Sequence, residues 1–328
     1  MRAWRVHELG EPRDVMRLED VADPEPGAGQ VLVRVRAAAV NFPDVLLCRG
    51  HYQVRPPLPF TPGVELCGEV VGVGEGVTGV AVGTRVIGTP LLPVGAFGEL
   101  SLLDARRIYP APEELDDAEA AAFHIGYQTS WFGLHRRAGL RAGETLLVHA
   151  AAGGVGSAAV QLGKAAGARV IGVVGGPDKA EVARRLGADV VVDRHREDFV
   201  AVVKEVTGGR GADVVYDPVG GEAYARSTKC IAFEGRILVV GFASGTIPTP
   251  GLNHALVKNY SILGLHWGLY ADHDLEALHR AHAELCALVD RGAVRPLVSE
   301  RLPLDAAPEA IERVATGGTT GRVVLLVD

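Results

Sequence analysis

Residues 143–164 read GETLLVHAAAGGVGSAAVQLGK, and this stretch decides the fold. Its apolar run at 145–149 is typical of a buried parallel strand. The chain then turns at 150–156, where glycines accumulate, and continues with helical periodicity to Lys164. A strand, a glycine turn and a helix in this order form the first half of a dinucleotide-binding βαβ unit.

The turn departs from the usual glycine motif at its first position. The motif places glycine there, whereas this chain has Ala151, which gives A-x-G-x-x-G. The pattern alone could also be a glycine-rich turn between buried elements. Read as a dinucleotide site, it binds a pyrophosphate at the start of the helix, where backbone N–H groups are unsatisfied. The residues expected to contact the cofactor here are Ala151, Ala152, Gly153, Gly154, Val155 and Gly156.

The same stretch resembles the signature of the quinone oxidoreductase/zeta-crystallin family of medium-chain dehydrogenase/reductases. The positions that carry the resemblance are Gly143, Glu144, Leu147, Ala151, Ala152, Gly153, Gly154, Gly156, Gln161 and Lys164. The resemblance implies an α/β protein with two domains. One is a Rossmann domain with a doubly wound parallel sheet, and the other is a GroES-like β-barrel catalytic domain.

Length and pattern agree with two domains. The chain has 328 residues, of which 48% are hydrophobic and 42 are glycine, as in α/β enzymes. Its first third alternates apolar and polar residues as half-buried strands do, and helices and strands alternate from about Asp116. We place the GroES-like domain at residues 1–122 and 266–328 and the Rossmann domain at 123–265, where the return to the barrel rests on the resemblance.

Charge and cysteine content exclude several classes of protein. The net charge of −7 argues against a nucleic-acid partner, which needs a basic face. Two long uncharged windows, at 145–163 and 237–257, are interrupted by glycine, so no membrane span is predicted. The chain opens on a strand pattern without a signal peptide, and it has no C-x-x-C pair, which favours a cytoplasmic protein with reduced thiols. The four cysteines are Cys48, Cys67, Cys230 and Cys286.

The end of the second predicted strand indicates the cofactor. NAD-selective Rossmann domains place an acidic residue there, whereas this chain has Gly175. Lys179 and Arg194 match the positions at which the family contacts a 2′-phosphate, although both could also be ordinary surface charges. Asp178 could face the ribose and weaken the selectivity. The sequence therefore predicts NADPH, and the resemblance adds further cofactor contacts at Gly241, Phe242, Leu265, Trp267 and Arg322, with Phe242 and Trp267 open to a second interpretation as core aromatics.

The zinc ligands of the related alcohol dehydrogenases are absent from the sequence. By resemblance their positions are Asn41, Val64 and Ile125, and none of these is a Cys or His. His124 lies beside one position, but a single histidine is more often a packed residue than a ligand. We therefore predict that no metal takes part in the reaction.

A hydride acceptor that needs no metal must spread the arriving charge by conjugation. Quinones and α,β-unsaturated carbonyls both do so. By resemblance, Asn41 and Thr129 lie near the nicotinamide, and Tyr52 matches the tyrosine that enoyl-thioester reductases use to donate a proton or orient the carbonyl. Tyr52 could also only shape the cleft wall.

The sequence therefore predicts an NADPH-dependent, zinc-free reductase of small quinones or α,β-unsaturated carbonyls. Two alternatives stay open: an enoyl-CoA or enoyl-thioester reductase of the same superfamily, and a non-catalytic NADPH-binding protein of crystallin or sensor type. The family also implies a homodimer, which we place at the apolar sheet edge near residues 257–263.

Overall fold

The structure is a computed structural model that describes residues 1–327. The strands are β1 (Arg2–Val6), β2 (Met16–Asp20), β3 (Gln30–Ala39), β4 (Leu66–Val73), β5 (Arg85–Gly88), β6 (Leu100–Asp104), β7 (Ile108–Pro110), β8 (Thr145–His149), β9 (Arg169–Val174), β10 (Val190–Asp193), β11 (Ala212–Asp217), β12 (Ile231–Val239), β13 (Ser261–Gly264), β14 (Val298–Pro303) and β15 (Arg322–Leu326). The α-helices are α1 (Pro12–Val15), α2 (Phe42–Cys48), α3 (Asp117–Ala121), α4 (His124–Trp131), α5 (Gly154–Ala165), α6 (Pro177–Arg185), α7 (Phe199–Val206), α8 (Gly221–Ser227), α9 (Leu252–Lys258), α10 (Tyr270–His273), α11 (Leu275–Asp290) and α12 (Ala307–Ala315). A π-helix, Phe132–Arg137, follows α4 directly.

The chain divides into two compact units. The first consists of residues 1–125 and of the segment that begins at Arg295, and the second of residues 126–294.

The first unit is built on a seven-stranded sheet. Its strands run in the order β14-β15-β3-β4-β5-β7, with β6 paired to β3, and a separate hairpin-like pair joins β1 to β2. Val31, Val33 and Val35 of β3 are all buried, which confirms the predicted alternation. Register shifts between β3 and β4 mark bulges, which bend and twist the sheet.

The second unit is a six-stranded sheet in the order β10-β9-β8-β11-β12-β13. Every pairing in it is parallel, as a doubly wound fold requires. All five residues of β8 are buried, because helices cover both faces of a parallel sheet. The strand order reverses between β8 and β11, which is where such sheets bind their ligands. The predicted fold class is confirmed.

One domain boundary differs from the prediction. The first change of unit falls at Ile125, within three residues of the predicted position, but the chain returns to the first unit at Arg295 instead of residue 266. Side chains of α4 hold α11 in the second unit. Gln128 donates to the Leu278 carbonyl at 3.0 Å, and Trp131 Nε1 donates to Glu284 at 3.0 Å. The boundary at residue 266 rested on the resemblance, which does not show the contacts that fix α11.

Within the described residues, no helix combines the length and the apolarity that a membrane crossing requires.

Candidate active site

The glycine turn between β8 and α5 has the geometry of a phosphate-binding turn. Ala150 follows β8 with φ of 50°, a left-handed conformation that non-glycine residues rarely adopt and that is frequent at functional sites. Gly153 then caps α5 without any side-chain hydrogen bond to the first turn of the helix. A Cβ on Gly156 would lie 2.1 Å from the Ala150 carbonyl oxygen, so only glycine fits there. The start of α5 therefore presents backbone N–H groups that no capping side chain occupies.

The alanine at the first motif position is accommodated by the neighbouring strand. Ala151 is fully buried, and its Cβ would lie 3.0 Å from a Cβ on Gly172 of β9. Since Gly172 has no side chain, the methyl group of Ala151 packs where a larger neighbour would exclude it. The departure from the motif therefore leaves the turn intact.

Helix α4 supports the turn from the side. Ser130 Oγ donates to the Val155 carbonyl at 3.1 Å and lies 3.0 Å from the hydroxyl of Tyr216. Gln161 donates to the Tyr127 hydroxyl at 2.8 Å. Thr129 lies on the same helix, is half-buried, and its hydroxyl has no hydrogen-bond partner within residues 1–327. That hydroxyl is thus available to a ligand.

The carboxyl end of β9 carries cations and no acid at the position that selects NAD. Gly175 directly follows the last residue of the strand, and the Arg194 guanidinium packs against it, since a Cβ on Gly175 would lie 3.2 Å from Arg194 Nε. Lys179 is half-buried in the first turn of α6. Burial lowers the pKa of its amine, and the charge of Arg194 lowers that pKa further. The structure therefore brings Gly175, Lys179 and Arg194 together, while Asp178 is exposed.

The remaining predicted cofactor residues of the second unit lie at the ends of β12 and β13. Phe242 is half-buried, and its ring packs against Gly220, where an added Cβ would lie 2.8 Å from its Cδ1. Leu265 donates its backbone N–H to the Val239 carbonyl at 3.1 Å, and its side chain faces Gly133. The other two, Gly241 and Trp267, are also half-buried.

A buried polar network occupies the first unit. The Glu65 carboxylate accepts hydrogen bonds from Asn41 Nδ2 at 3.0 Å, from the Ile125 backbone at 2.6 Å and from the Arg322 guanidinium. Asn41 donates its other amide hydrogen to the Ala39 carbonyl at 3.1 Å. The side chains of Asn41, Glu65 and Arg322 are all buried. The network therefore fixes the amide of Asn41 by both of its hydrogens.

Arg322 was predicted as a cofactor contact, and the structure gives it a role that the sequence did not show. One terminal nitrogen pairs with Glu65, whereas Nε is buried without a hydrogen-bond partner in the described residues. An oxygen of an anionic ligand would satisfy that donor. The contact with a cofactor remains a prediction.

Burial perturbs both acids near Asn41. It raises the pKa of Glu65, against the opposing effects of Arg322 and of the Asn41 amide. It also raises the pKa of Asp44 to about 7, although Asp44 accepts hydrogen bonds from the backbones of Asn41 at 2.8 Å and Gly63 at 3.0 Å. Asp44 thereby closes the start of α2 in a capping box with Asn41.

Tyr52 is half-buried and packs against the apolar core of the first unit. Burial raises the pKa of its phenol, and the charge of Asp44 raises it further. The hydroxyl therefore keeps its proton throughout the neutral range, as a proton donor or a hydrogen-bond donor must.

Two of the three positions that the resemblance assigns to zinc ligands contact Glu65, and the third precedes it. Asn41 and Ile125 both donate to its carboxylate, and Val64, which precedes it, is an apolar side chain with 8% exposure. Within residues 1–327, no three His, Cys, Asp or Glu side chains lie close enough together to hold a metal ion. The prediction that the reaction uses no metal remains to be tested.

Two family models match the chain. The alcohol dehydrogenase GroES-like domain matches residues 27–113, and the zinc-binding dehydrogenase domain matches residues 154–284. The Quinone oxidoreductase-like protein 2 homolog of Nematostella vectensis is 39% identical over 327 residues, 99% of this chain and 88% of that protein. The quinone oxidoreductase of Pseudomonas aeruginosa is 38% identical over 316 residues, 95% of this chain and 96% of that protein.

This chain belongs to the quinone oxidoreductase family of medium-chain dehydrogenase/reductases. The family that residues 143–164 predicted is confirmed, and so is its GroES-like and Rossmann domain composition. The Escherichia coli quinone oxidoreductase complexed with NADPH superposes with a TM-score of 0.93, 31% identity and coverage of 99% and 100% of the two chains. A mycobacterial protein complexed with NADPH superposes with a TM-score of 0.92, 33% identity and the same coverage.

Sequence reasoning missed several residues that shape the site. The sequence did not identify Asp44, nor the supporting contacts of Ser130 and Gln161. Asp193, at the end of β10, and His195 were not considered. The sequence signal for Asp44 was present, since Asn41 and Asp44 have the N-cap and N3 spacing of a capping box. The others depend on contacts distant in sequence.

Proposed function

We propose that this chain is an NADPH-dependent reductase that uses no zinc and reduces quinones or α,β-unsaturated carbonyls. The observation that carries the proposal is the network at Glu65, to which Asn41 and Ile125 donate hydrogen bonds, because the resemblance assigns these two positions to zinc ligands. The names of the relatives, which are quinone oxidoreductases, support the class of acceptor.

NADPH fits the residues at the ends of β8 and β9. The uncapped start of α5 would hold the pyrophosphate, and Arg194 and Lys179 would hold the 2′-phosphate beside Gly175. When bound, NADPH supplies the hydride for the reduction. Two solved relatives are complexes with NADPH, which supports the same choice here.

Three side chains are proposed to act on the acceptor. Asn41 is held rigidly by Glu65, so it would present one fixed surface to the substrate. Thr129 has an available hydroxyl, and Tyr52 has a phenol that stays protonated at neutral pH. Since conjugation spreads the charge of a reduced quinone or enone, hydrogen bonds donated by the hydroxyls of Thr129 and Tyr52 can replace a Lewis acid.

Two other functions are tested by the same experiment. An enoyl-CoA or enoyl-thioester reductase is favoured by the protonated phenol of Tyr52, which could serve the carbonyl of such a substrate. A non-catalytic NADPH-binding protein would use the same glycine turn without turnover.

The deciding experiment measures oxidation of NADPH by its near-ultraviolet absorbance with quinones, enones, enals and enoyl-CoA esters as acceptors. We expect turnover with quinones or enones, and the same rate after treatment with a strong chelator. Elemental analysis of the active protein should find no stoichiometric metal. Binding of NADPH without turnover of any acceptor would favour the non-catalytic alternative. A bound zinc ion whose removal abolishes activity would contradict the zinc-free mechanism.

A further inference from the structure

The segment after β10 folds back over the end of β9. Asp193, the last residue of β10, accepts hydrogen bonds at one carboxylate oxygen from the Gly176 backbone at 2.9 Å and from the His195 backbone at 3.1 Å. These two bonds lower the pKa of Asp193 and keep it ionised. Its carbonyl also accepts from the backbones of Arg196 and Glu197, each at 2.9 Å. Residues 193–197 thus form a closed turn against Gly176.

Two side chains of this turn cover Gly175. A Cβ on Gly175 would lie 3.2 Å from Nε and 3.3 Å from Nη2 of Arg194, and 3.2 Å from Cε1 of His195. In NAD-selective Rossmann domains, the residue at the end of this strand is acidic, and its side chain binds the ribose 2′-hydroxyl. Here Arg194 and His195 occupy the space into which that side chain would project. The guanidinium and the imidazole therefore face the position of the ribose 2′ substituent.

The orientation of the imidazole leaves one nitrogen for a ligand. One ring nitrogen, Nδ1 of His195, lies 3.8 Å from the Asp193 carboxylate. Cε1, which joins the two ring nitrogens, faces Gly175. Since Asp193 lies on the Nδ1 side of the ring, Nε2 is the nitrogen that could donate an N–H to an anion beside Gly175.

We propose that His195 is a specificity-determining residue for NADPH, and that Asp193 positions its imidazole to bind the 2′-phosphate together with Arg194 and Lys179. The inference rests on the proposed use of NADPH and adds the residues that would discriminate it from NADH. Asp193 is an acid at a strand end, but its carboxylate is engaged by backbone N–H groups and is only 11% exposed, so it does not take the place of the NAD-selecting acid.

Arg196 provides a matched control in the same turn. It also carries a positive charge, but its side chain is 73% exposed and its Nε lies 3.8 Å from the other oxygen of Asp193. No atom of Arg196 is among the three nearest to a Cβ on Gly175. If net charge alone governed the affinity for a 2′-phosphate, Arg196 would matter at least as much as His195.

The test compares two probes on the full chain by titration calorimetry: adenosine 2′,5′-bisphosphate and adenosine 5′-monophosphate, which lacks the 2′-phosphate. His195→Ala should weaken binding of the bisphosphate about three- to tenfold, as expected for the loss of one hydrogen bond of ordinary strength from a partly exposed side chain, and change binding of the monophosphate less than twofold. His195→Gln, which keeps an N–H donor, should recover part of the loss. Arg196→Ala should change neither probe by more than about twofold, since an exposed charge contributes little.

The failure of this inference can be distinguished from the failure of the proposed cofactor. If the wild type prefers the bisphosphate and His195→Ala leaves that preference unchanged, or weakens both probes equally, the role of His195 is overturned and the use of NADPH stands. If the wild type binds both probes equally, the proposed use of NADPH fails and the inference fails with it.

Discussion

The side-chain amide of Asn41 donates a hydrogen bond to the carboxylate of Glu65 over 3.0 Å, and both residues are at least 96% buried. A buried carboxylate must be balanced, because removing an ion from water is costly. Here the balance comes from the guanidinium of Arg322 and from two N–H donors. The network holds the polypeptide in place at the positions that the resemblance assigns to zinc ligands.

Glu65→Gln should therefore destabilise the protein strongly. The substitution leaves the Arg322 guanidinium buried without a counter-charge, and breaking such a pair costs about 3–5 kcal/mol of unfolding free energy. Unfolding by urea measures the loss. The matched control is Glu69→Gln, whose ion pair with Arg36 is more than a third exposed and should contribute less than about 1 kcal/mol. Equal effects of the two substitutions would contradict a structural role for the Glu65 pair.

Lys179→Ala should weaken NADPH far more than NADH. Loss of one charge-assisted phosphate contact costs about 1.5–3 kcal/mol, which corresponds to about ten- to a hundredfold in affinity. Michaelis constants for both cofactors measure the effect, and Lys204→Ala, on the exposed side of α7, is the control. Equal constants for NADPH and NADH in the wild type would refute the cofactor assignment.

His149 should make the protein sensitive to acid. Burial lowers the pKa of its imidazole to about 4, and Nε2 lies 2.8 Å from Ser227 Oγ, whose own hydrogen goes to the Ala223 carbonyl. Nε2 therefore donates to the serine, and the neutral ring is the form that fits. Since the unfolded chain binds a proton near pH 6.5 and the folded chain does not until about pH 4, stability is present above that window and lost as the pH falls through it, by about 3 kcal/mol.

The measurement is the free energy of unfolding between pH 7 and pH 4.5. His149→Gln keeps a donor for Ser227 but cannot titrate, so its stability should decrease less over this range than that of the wild type. Parallel decreases in the two proteins would show that other groups account for the acid sensitivity.

The edge of the second sheet should join two copies of the chain. β13 is the last strand of the sheet, and no residue of the adjacent α9 is buried. Leu256 and Val257 of α9 are each 77% exposed. An open strand edge can pair with its own copy about a twofold axis, which would cover these apolar side chains. We therefore expect a homodimer at micromolar concentration by light scattering.

Substitution of the apolar pair tests that interface. Leu256→Asp combined with Val257→Asp should shift the mass to that of a monomer. Val82→Asp, at an exposed apolar residue of the first unit, should leave the dimer unchanged. A monomeric wild type would refute the prediction.

The parts of the molecule that the sequence predicts are those encoded locally. The strand, turn and helix at 143–164 and the missing acid at Gly175 are visible in consecutive residues, and the structure has both. The turn that brings His195 over Gly175 is fixed by a hydrogen bond that spans 17 residues, which no local pattern shows. Likewise, the pairing of Arg322 with Glu65 joins residues 257 positions apart. The return of the chain at residue 266 followed from the resemblance alone, whereas the contacts of α4 with α11 place that helix in the second unit.

Tyr52 separates the two classes of acceptor. Reduction of an enone at its β-carbon places negative charge on the carbonyl oxygen, and a proton must follow. A phenol within hydrogen-bond reach can stabilise that oxygen or supply the proton, and a well-positioned acid contributes about 10²–10⁴-fold to the rate. The pKa of Tyr52, which burial and Asp44 raise, keeps this phenol protonated at neutral pH. A quinone needs less help, because its reduced form is an aromatic hydroquinone whose anion water protonates easily.

Tyr52→Phe keeps the ring, and so the packing against the core of the first unit, and removes only the hydroxyl. Reduction of enones or enoyl esters should therefore slow by about tenfold or more, at the lower end of what a positioned acid contributes, while quinone turnover changes little. The ratio of kcat for an enone to kcat for a quinone is measured on the same preparation. Because both values scale with the same fraction of folded, cofactor-competent protein, the ratio does not depend on that fraction. An unchanged ratio would assign Tyr52 to the wall of the cleft, because loss of a proton donor cannot leave enone reduction unaffected. Protonation would then come from solvent, and positioning of the acceptor would account for the rate.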